Sequence, residues 1–262
     1  MCTLSLIRTS DGGFRIAFNR DELRVRAPGE PPSIRDRRGL RVVAPRDPDG
    51  GGTWIAVNDR GIAAAVLNGN PPAERRRGLP GGASRGVIVE AAAAEATLDA
   101  ALDALSLAAE PVRRPFRAFL TDGRDVVVAA FDPGHRSGAV VIDRRDWDGR
   151  PMMLGSSGIG DHLVEGPRRA HFEQSVVVER DEGDDSRLVA AQSRFHDSTI
   201  PLRDHIAVRM SRPEARTVSR SVVEIDRMAA VARFHHEDLE EDGSSTPSSM
   251  TTIVLPLAGR PA

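Results

Sequence analysis

Apolar periodicity along this chain changes in blocks, with strands grouped, then helices, then strands again, and that ordering constrains the fold most. Residues 3–8 and 14–19 are short apolar or alternating runs around Ser10-Asp11-Gly12-Gly13, the composition of a hairpin turn. A Pro-rich segment, 27–36, reads as a loop, followed by an apolar run at 40–44 and a second loop at 45–52. Residues 53–57 and 62–67 flank Asn58-Asp59-Arg60-Gly61 and predict a second hairpin. From 84 to 107 the sequence is Ala-rich, with apolar residues at three-to-four spacing, which predicts one or two helices. Strands are expected again at 116–121, 126–131, 139–142 and 152–154. Helices are expected around 168–178 and 186–195, and strands at 217–225, 229–234 and 252–257. A doubly wound parallel sheet would alternate strand and helix, so the block order predicts an α+β fold with antiparallel sheets. No internal repeat or linker divides the sequence, so one domain over 1–262 is expected.

Composition removes several functions. All 36 basic residues are arginine, so a lysine nucleophile, Schiff base or P-loop lysine is excluded. With 38 acidic residues the formal net charge is −2, which argues against nucleic-acid binding by counterion release. No run approaches the ~20 apolar residues of a membrane span. The N-terminus has neither the basic nor the apolar region of a signal peptide, which predicts a cytoplasmic protein. One cysteine cannot form an intramolecular disulfide or a thiolate-rich zinc site. His235-His236-Glu237-Asp238 is a poor metal set, because adjacent strand residues face opposite ways. No metal and no cofactor are expected.

That cysteine stands directly behind Met1. Aminopeptidases remove Met before a small residue, which would put a thiol and an α-amine on Cys2. The amine, with a pKa of about 7.7–8.0, is partly neutral near pH 7 and can take the thiol proton. Asn19-Arg20-Asp21-Glu22 ends the strand that should pair with the one starting at Cys2. In an extended chain Asn19 and Asp21 share one face and Arg20 and Glu22 the other. A carboxylate there can orient the amine, and an arginine or asparagine can polarise a carbonyl or bind an anionic group. Asn68 ends an apolar strand and could donate to an oxyanion, while Trp54 could wall a pocket. Each motif also has a plain reading as strand-end or turn composition. The loop 155–160 likewise reads as a tight turn.

Together, Met1-Cys2, Asn19-Arg20-Asp21-Glu22, Gly51-Gly52-Thr53-Trp54, Asn58-Asp59-Arg60-Gly61 and Asn68 resemble the NRDE family, also called the transport and Golgi organisation protein 2 family. Ala215-Arg216-Thr217-Val218-Ser219 is similar to that family's late Arg-Thr segment. More distantly, the elements resemble the choloylglycine hydrolase and penicillin V acylase group of N-terminal-nucleophile hydrolases. That resemblance implies a four-layer αββα sandwich and amide substrates. It implies Cys2 as nucleophile, Asp21 as the carboxylate near the amine, Asn68 on the oxyanion side and Arg216 as the late catalytic arginine. Arg20 is displaced, since the hydrolases carry their arginine three residues before the aspartate. Ser156 stands where they carry a second oxyanion-hole asparagine. Asn19, Trp54 and Ser156 are the expected substrate-binding residues. The reading is a cysteine hydrolase of a small-molecule amide, thioester or ester. The alternative that the resemblance implies is a non-enzymatic carrier of haem, an acyl lipid or acyl-CoA on the same scaffold. The sequence does not set the oligomeric state.

Overall fold

Alternation in the first hairpin shows how the layers form. The computed structural model describes residues 2–71, 82–132, 140–179, 185–200, 205–242, 244–246 and 249–259. In β1 (Cys2–Arg8), Cys2, Leu4 and Leu6 point one way and Thr3, Ser5 and Ile7 the other. In β2 (Phe14–Leu23), Phe14, Ile16 and Phe18 join the first set, packing with Val43, Trp54, Ile55, Val57 and Leu67 into a core between two sheets. Ile7 joins Met153, Phe172, Val176 and Phe195 in a second core under helices. Both faces of β1 and β2 are thus buried, so Thr3, Ser5, Arg15 and Asn19, on the face under the helices, are polar residues inside the protein.

The remaining strands are β3 (Glu30–Arg37), β4 (Leu40–Arg46), β5 (Ile55–Asn58), β6 (Ala63–Asn68), β7 (Phe116–Thr121), β8 (Asp125–Phe131), β9 (Val141–Asp146), β10 (Met152–Ser156), β11 (Ala215–Asp226), β12 (Val231–Asp238) and β13 (Met250–Pro256). Among the described residues the helices are α1 (Gly86–Ala93), α2 (Leu98–Ala109), α3 (Asp161–Phe172) and α4 (Asp185–Asp197), with a π-helical turn at Glu173–Val177 after α3. One sheet runs β10-β1-β2-β11-β12-β13 and the other β3-β4-β5-β6-β7-β8-β9, with every neighbouring pair antiparallel. Helices α1 and α2 cover the second sheet through Ile88, Val89, Leu98, Ala101 and Leu105. With α3 and α4 on the first sheet, the order is the expected αββα. Among the described residues no helix is long and apolar enough to cross a membrane.

Three elements depart from the sequence reading. Residues 30–37 form a strand where the prolines suggested a loop. β3 lies at a sheet edge and its register shifts between Glu30 and Ser33, so Pro31 and Pro32 stand outside the ladder. Helix α3 starts at Asp161, although Gly166 and Pro167 both disfavour helix, because Val164, Arg168 and Phe172 form a buried stripe against the sheet. Ala229 belongs to a turn, and β12 begins at Val231.

Charged and polar groups sit under α4. The Nε2 of His196 is 2.7 Å from Ser5 Oγ and its Nδ1 is 2.9 Å from Asn19 Oδ1. Burial, and then the charges of Arg220, Arg15 and Arg168, push this imidazole well below its ordinary 6.5. The unfolded chain therefore takes up a proton near 6.5 that the folded chain refuses. Stability is complete above that pH and declines below it, by up to about 1.4 kcal/mol per pH unit for this one proton. Urea unfolding at pH 7 and pH 5 should show the decline, and His196→Gln should flatten it. An unchanged slope in the variant would contradict this assignment.

Candidate active site

β1 enters its sheet between β2 and β10, so Cys2 has Arg20 across from it on one side and Ser156 on the other. Directly paired strand residues share a face, which puts Arg20 on the same side as the thiol, at the open end of the space between the sheets. There a cavity of about 380 Å³ is lined by Cys2, Arg20, Asp21, Trp54, Asn68 and Arg85, among others. Cys2 is 6% exposed, and burial, joined by the Asp21 charge, pushes its thiol up, while a hydrogen bond from the Asp21 backbone and the Arg20 charge act in the opposite sense. The Cys2 backbone nitrogen donates to Ser156 Oγ at 3.0 Å.

The glycine-rich approach to Trp54 has local causes. Gly51 adopts φ 74°, and a Cβ on Gly52 would stand 2.5 Å from the backbone of Gly86, so only glycine lets this loop meet the start of α1. That contact sets Trp54, whose ring lies 4.3 Å below the Arg20 guanidinium. In the next hairpin Asn58 is structural. Its Oδ1 accepts from the Arg60 and Ile62 backbones at 3.0 Å, and its Nδ2 donates to the carbonyls of Ala93, at the end of α1, and Glu95, just past it.

Asp21 turns away from Arg20, as the alternation predicts. Its Oδ1 accepts from Thr217 Oγ1 at 2.7 Å and its Oδ2 lies 3.9 Å from Arg168 Nη2, both side chains of the pair being almost wholly buried. Burial pushes the Asp21 carboxyl up and the Arg168 guanidinium down, and each opposes the other's shift by its charge. Arg168 also donates to Thr3 Oγ1 and to the Ile206 and Ala207 carbonyls. Arg212, close enough to act on Asp21, donates to Ser157 Oγ at 2.6 Å.

The expected residues therefore separate into groups. Cys2, Arg20, Asp21, Trp54 and Asn68 meet at the cavity. Asn19 does not, because it faces the helix layer and its Nδ2 donates to the His196 carbonyl at 2.8 Å. Ser156 stands at the Cys2 nitrogen. Arg216, opposite Glu22, donates to the Leu239 and Glu240 carbonyls and lines a neighbouring cavity that shares Arg20, Glu22 and Arg26. The buried arginines near Asp21 are Arg168 and Arg212. Sequence reasoning missed both, along with Arg85, whose Nη1 donates to Asn68 Oδ1 at 2.7 Å. With its oxygen so engaged, Asn68 has only its Nδ2 hydrogens to offer a ligand.

Haem or an acyl chain needs extended apolar surface. Among the described residues, the large apolar side chains lining this cavity are Trp54 and Val66, against the arginines Arg20, Arg26, Arg85 and Arg114 and the carboxylates Asp21, Glu22, Asp47 and Asp49. The described lining of this cavity does not fit either group.

Residues 1–128 match the family model Transport and Golgi organisation 2. No curated protein matches the chain. The fold is similar to that of the Caenorhabditis elegans N-acylethanolamine-hydrolyzing acid amidase ortholog, at 16% identity and TM-score 0.55, over 84% of this chain and 92% of that one. It is also similar to a mutant of the conjugated bile acid hydrolase from Clostridium perfringens, at 11% identity and TM-score 0.56, over 97% and 92% of the two chains. At identities this low the likeness establishes the shared αββα fold and nothing finer.

Proposed function

We propose, from the premise that residues 1–128 carry the Transport and Golgi organisation 2 pattern on an N-terminal-nucleophile hydrolase scaffold, that this protein hydrolyses a small-molecule amide. Cys2, exposed by removal of Met1, is the nucleophile. The observation that carries the reading is the placement of Cys2. Its thiol lines the cavity, and its nitrogen, the atom that would become the α-amine, is held 3.0 Å from Ser156 Oγ.

A buried thiol needs a base to ionise near pH 7. The α-amine of the same residue takes the proton from Sγ, with Ser156 Oγ fixing its direction, and Arg20 favours the thiolate by its charge. Sγ attacks the carbonyl carbon, and the charge that builds on oxygen is met by Asn68 Nδ2. The ammonium, stabilised by Asp21, passes its proton to the leaving nitrogen as the C–N bond breaks. A thioester on Cys2 and an amine product result. Water, deprotonated by the same amine, then attacks the thioester, releasing the acid and restoring the thiol. Esters and thioesters pass through the same steps with better leaving groups.

Removing the oxyanion donor tests the scheme. Asn68→Ala should lower kcat by about 10²- to 10³-fold on any substrate turned over, with little change in KM. Failure of the wild-type protein to turn over an amide, thioester or ester panel, or an Asn68→Ala variant with unchanged kcat, would reject the reading.

A further inference from the structure

We propose that the substrate carries an anionic group, a carboxylate, seated on Arg85 and Arg114; this rests on the hydrolase reading and names its substrate class. The cavity's charges are equal in number but not in pairing. The acids of the lining are already engaged. Both oxygens of Asp47 accept from Arg26 Nη2, at 2.7 and 2.8 Å, and Asp49 accepts from Arg26 Nε at 3.2 Å. Glu22 Oε2 lies 3.3 Å from Arg20 and 3.2 Å from Arg26, and Asp21 faces Thr217 and Arg168.

Two other cations of the lining, Arg85 and Arg114, form no ion pair within 4.0 Å among the described residues. Arg85 donates to two neutral acceptors, the Pro115 carbonyl at 2.9 Å and Asn68 Oδ1 at 2.7 Å. No carboxylate among the described residues comes within 4.0 Å of it. Arg114 is exposed, lines the same cavity near enough for its charge to act on Arg85, and forms no ion pair or hydrogen bond among the described residues. Burial, then the neighbouring Arg114 charge, pushes Arg85 down to about 10 against the weaker opposing charges of Cys2, Glu22 and Asp161, so a further anion beside the two arginines would be favoured.

Position adds to the imbalance. Arg85 is the N-cap of α1, whose first turn contains no acidic residue. The helix dipole favours an anion there and opposes a cation. A carboxylate on the two guanidinium groups would satisfy both arginines and the helix end together, by charge-assisted bonds of the kind arginine makes best. Because Arg85 also grips Asn68, docking the anion would fix the oxyanion donor beside Cys2.

The test reads binding, in Cys2→Ala protein, by titration calorimetry with two matched pairs. Glutaramate against glutaramide places the carboxylate on the acyl side, and N-acetylglycine against N-acetylglycinamide places it on the leaving side. In at least one pair the acid should bind about tenfold tighter or more. That preference should shrink at least about threefold in Arg114→Gln, an exposed site without folding risk, and with added salt. Equal binding within both pairs, or an undiminished preference in Arg114→Gln, would overturn the proposal. Since no turnover is involved, a protein that prefers the acid yet hydrolyses nothing fails only the hydrolase reading. A protein that hydrolyses amides without the preference fails only this one.

Discussion

Cys2→Ala should abolish turnover, with a loss of at least about 10⁴-fold in kcat, while the protein stays folded. The thiol is the atom that makes and breaks every covalent bond in the proposed cycle, and what remains after its removal is binding and oxyanion stabilisation alone. The fold should tolerate the change. Cys2 is a small residue at a strand start, its backbone nitrogen keeps Ser156 Oγ as a partner, and Leu4, Leu6, Phe14 and Phe18 carry the packing around it. Circular dichroism and thermal unfolding close to wild type, beside a lost rate, are the expected pair of results. Turnover within tenfold of wild type would remove Cys2 from the mechanism.

The second large effect is on stability. Asp21→Asn leaves Arg168, whose side chain is 0% exposed, without its buried counter-charge. Breaking one partner out of such a pair costs about 3–5 kcal/mol, since the remaining ion cannot reach water. Neutral acceptors at Thr3, Ile206 and Ala207 remain to Arg168, so the lower end is expected, a fall in Tm of roughly 6–12 °C. Arg168→Met in the same chain should recover part of the loss, because it removes the stranded charge. An Asp21→Asn variant within 0.5 kcal/mol of wild type would show that the pair does not anchor the site.

How far the sequence revealed this arrangement depended on the kind of signal. Hairpins punctuated by Ser10-Asp11-Gly12-Gly13 and Asn58-Asp59-Arg60-Gly61 were legible because turn chemistry is local, with Gly12 and Gly61 both at φ 76°. Cys2, Arg20, Asp21, Trp54 and Asn68 were legible because their spacing along hairpins already implies which face each occupies. The strand at Glu30–Arg37 was not, because two prolines speak for a loop until a sheet edge is known to be available. Asn19 was placed at the substrate from strand alternation with Asp21. The alternation was right, but that face meets α4. Arg168 lay outside sequence reasoning, because nothing local marks one arginine in a charged helix as fully buried, and arginine seldom is. Arg85 was hidden because the sequence reading starts the helical segment at 84, and the structure is what puts this cation immediately before α1, where it is electrostatically unfavourable.

The proposed cycle requires a free α-amine on Cys2 and an acyl group carried by its thiol, and one mass measurement addresses both. The N-terminal peptide of protein purified from cells, analysed before and after rapid-quench incubation with a hydrolysable amide or thioester, should begin at Cys2 and gain the acyl group on its sulfur. A peptide that retains Met1, or a substrate consumed without any acyl adduct on Cys2, would contradict it.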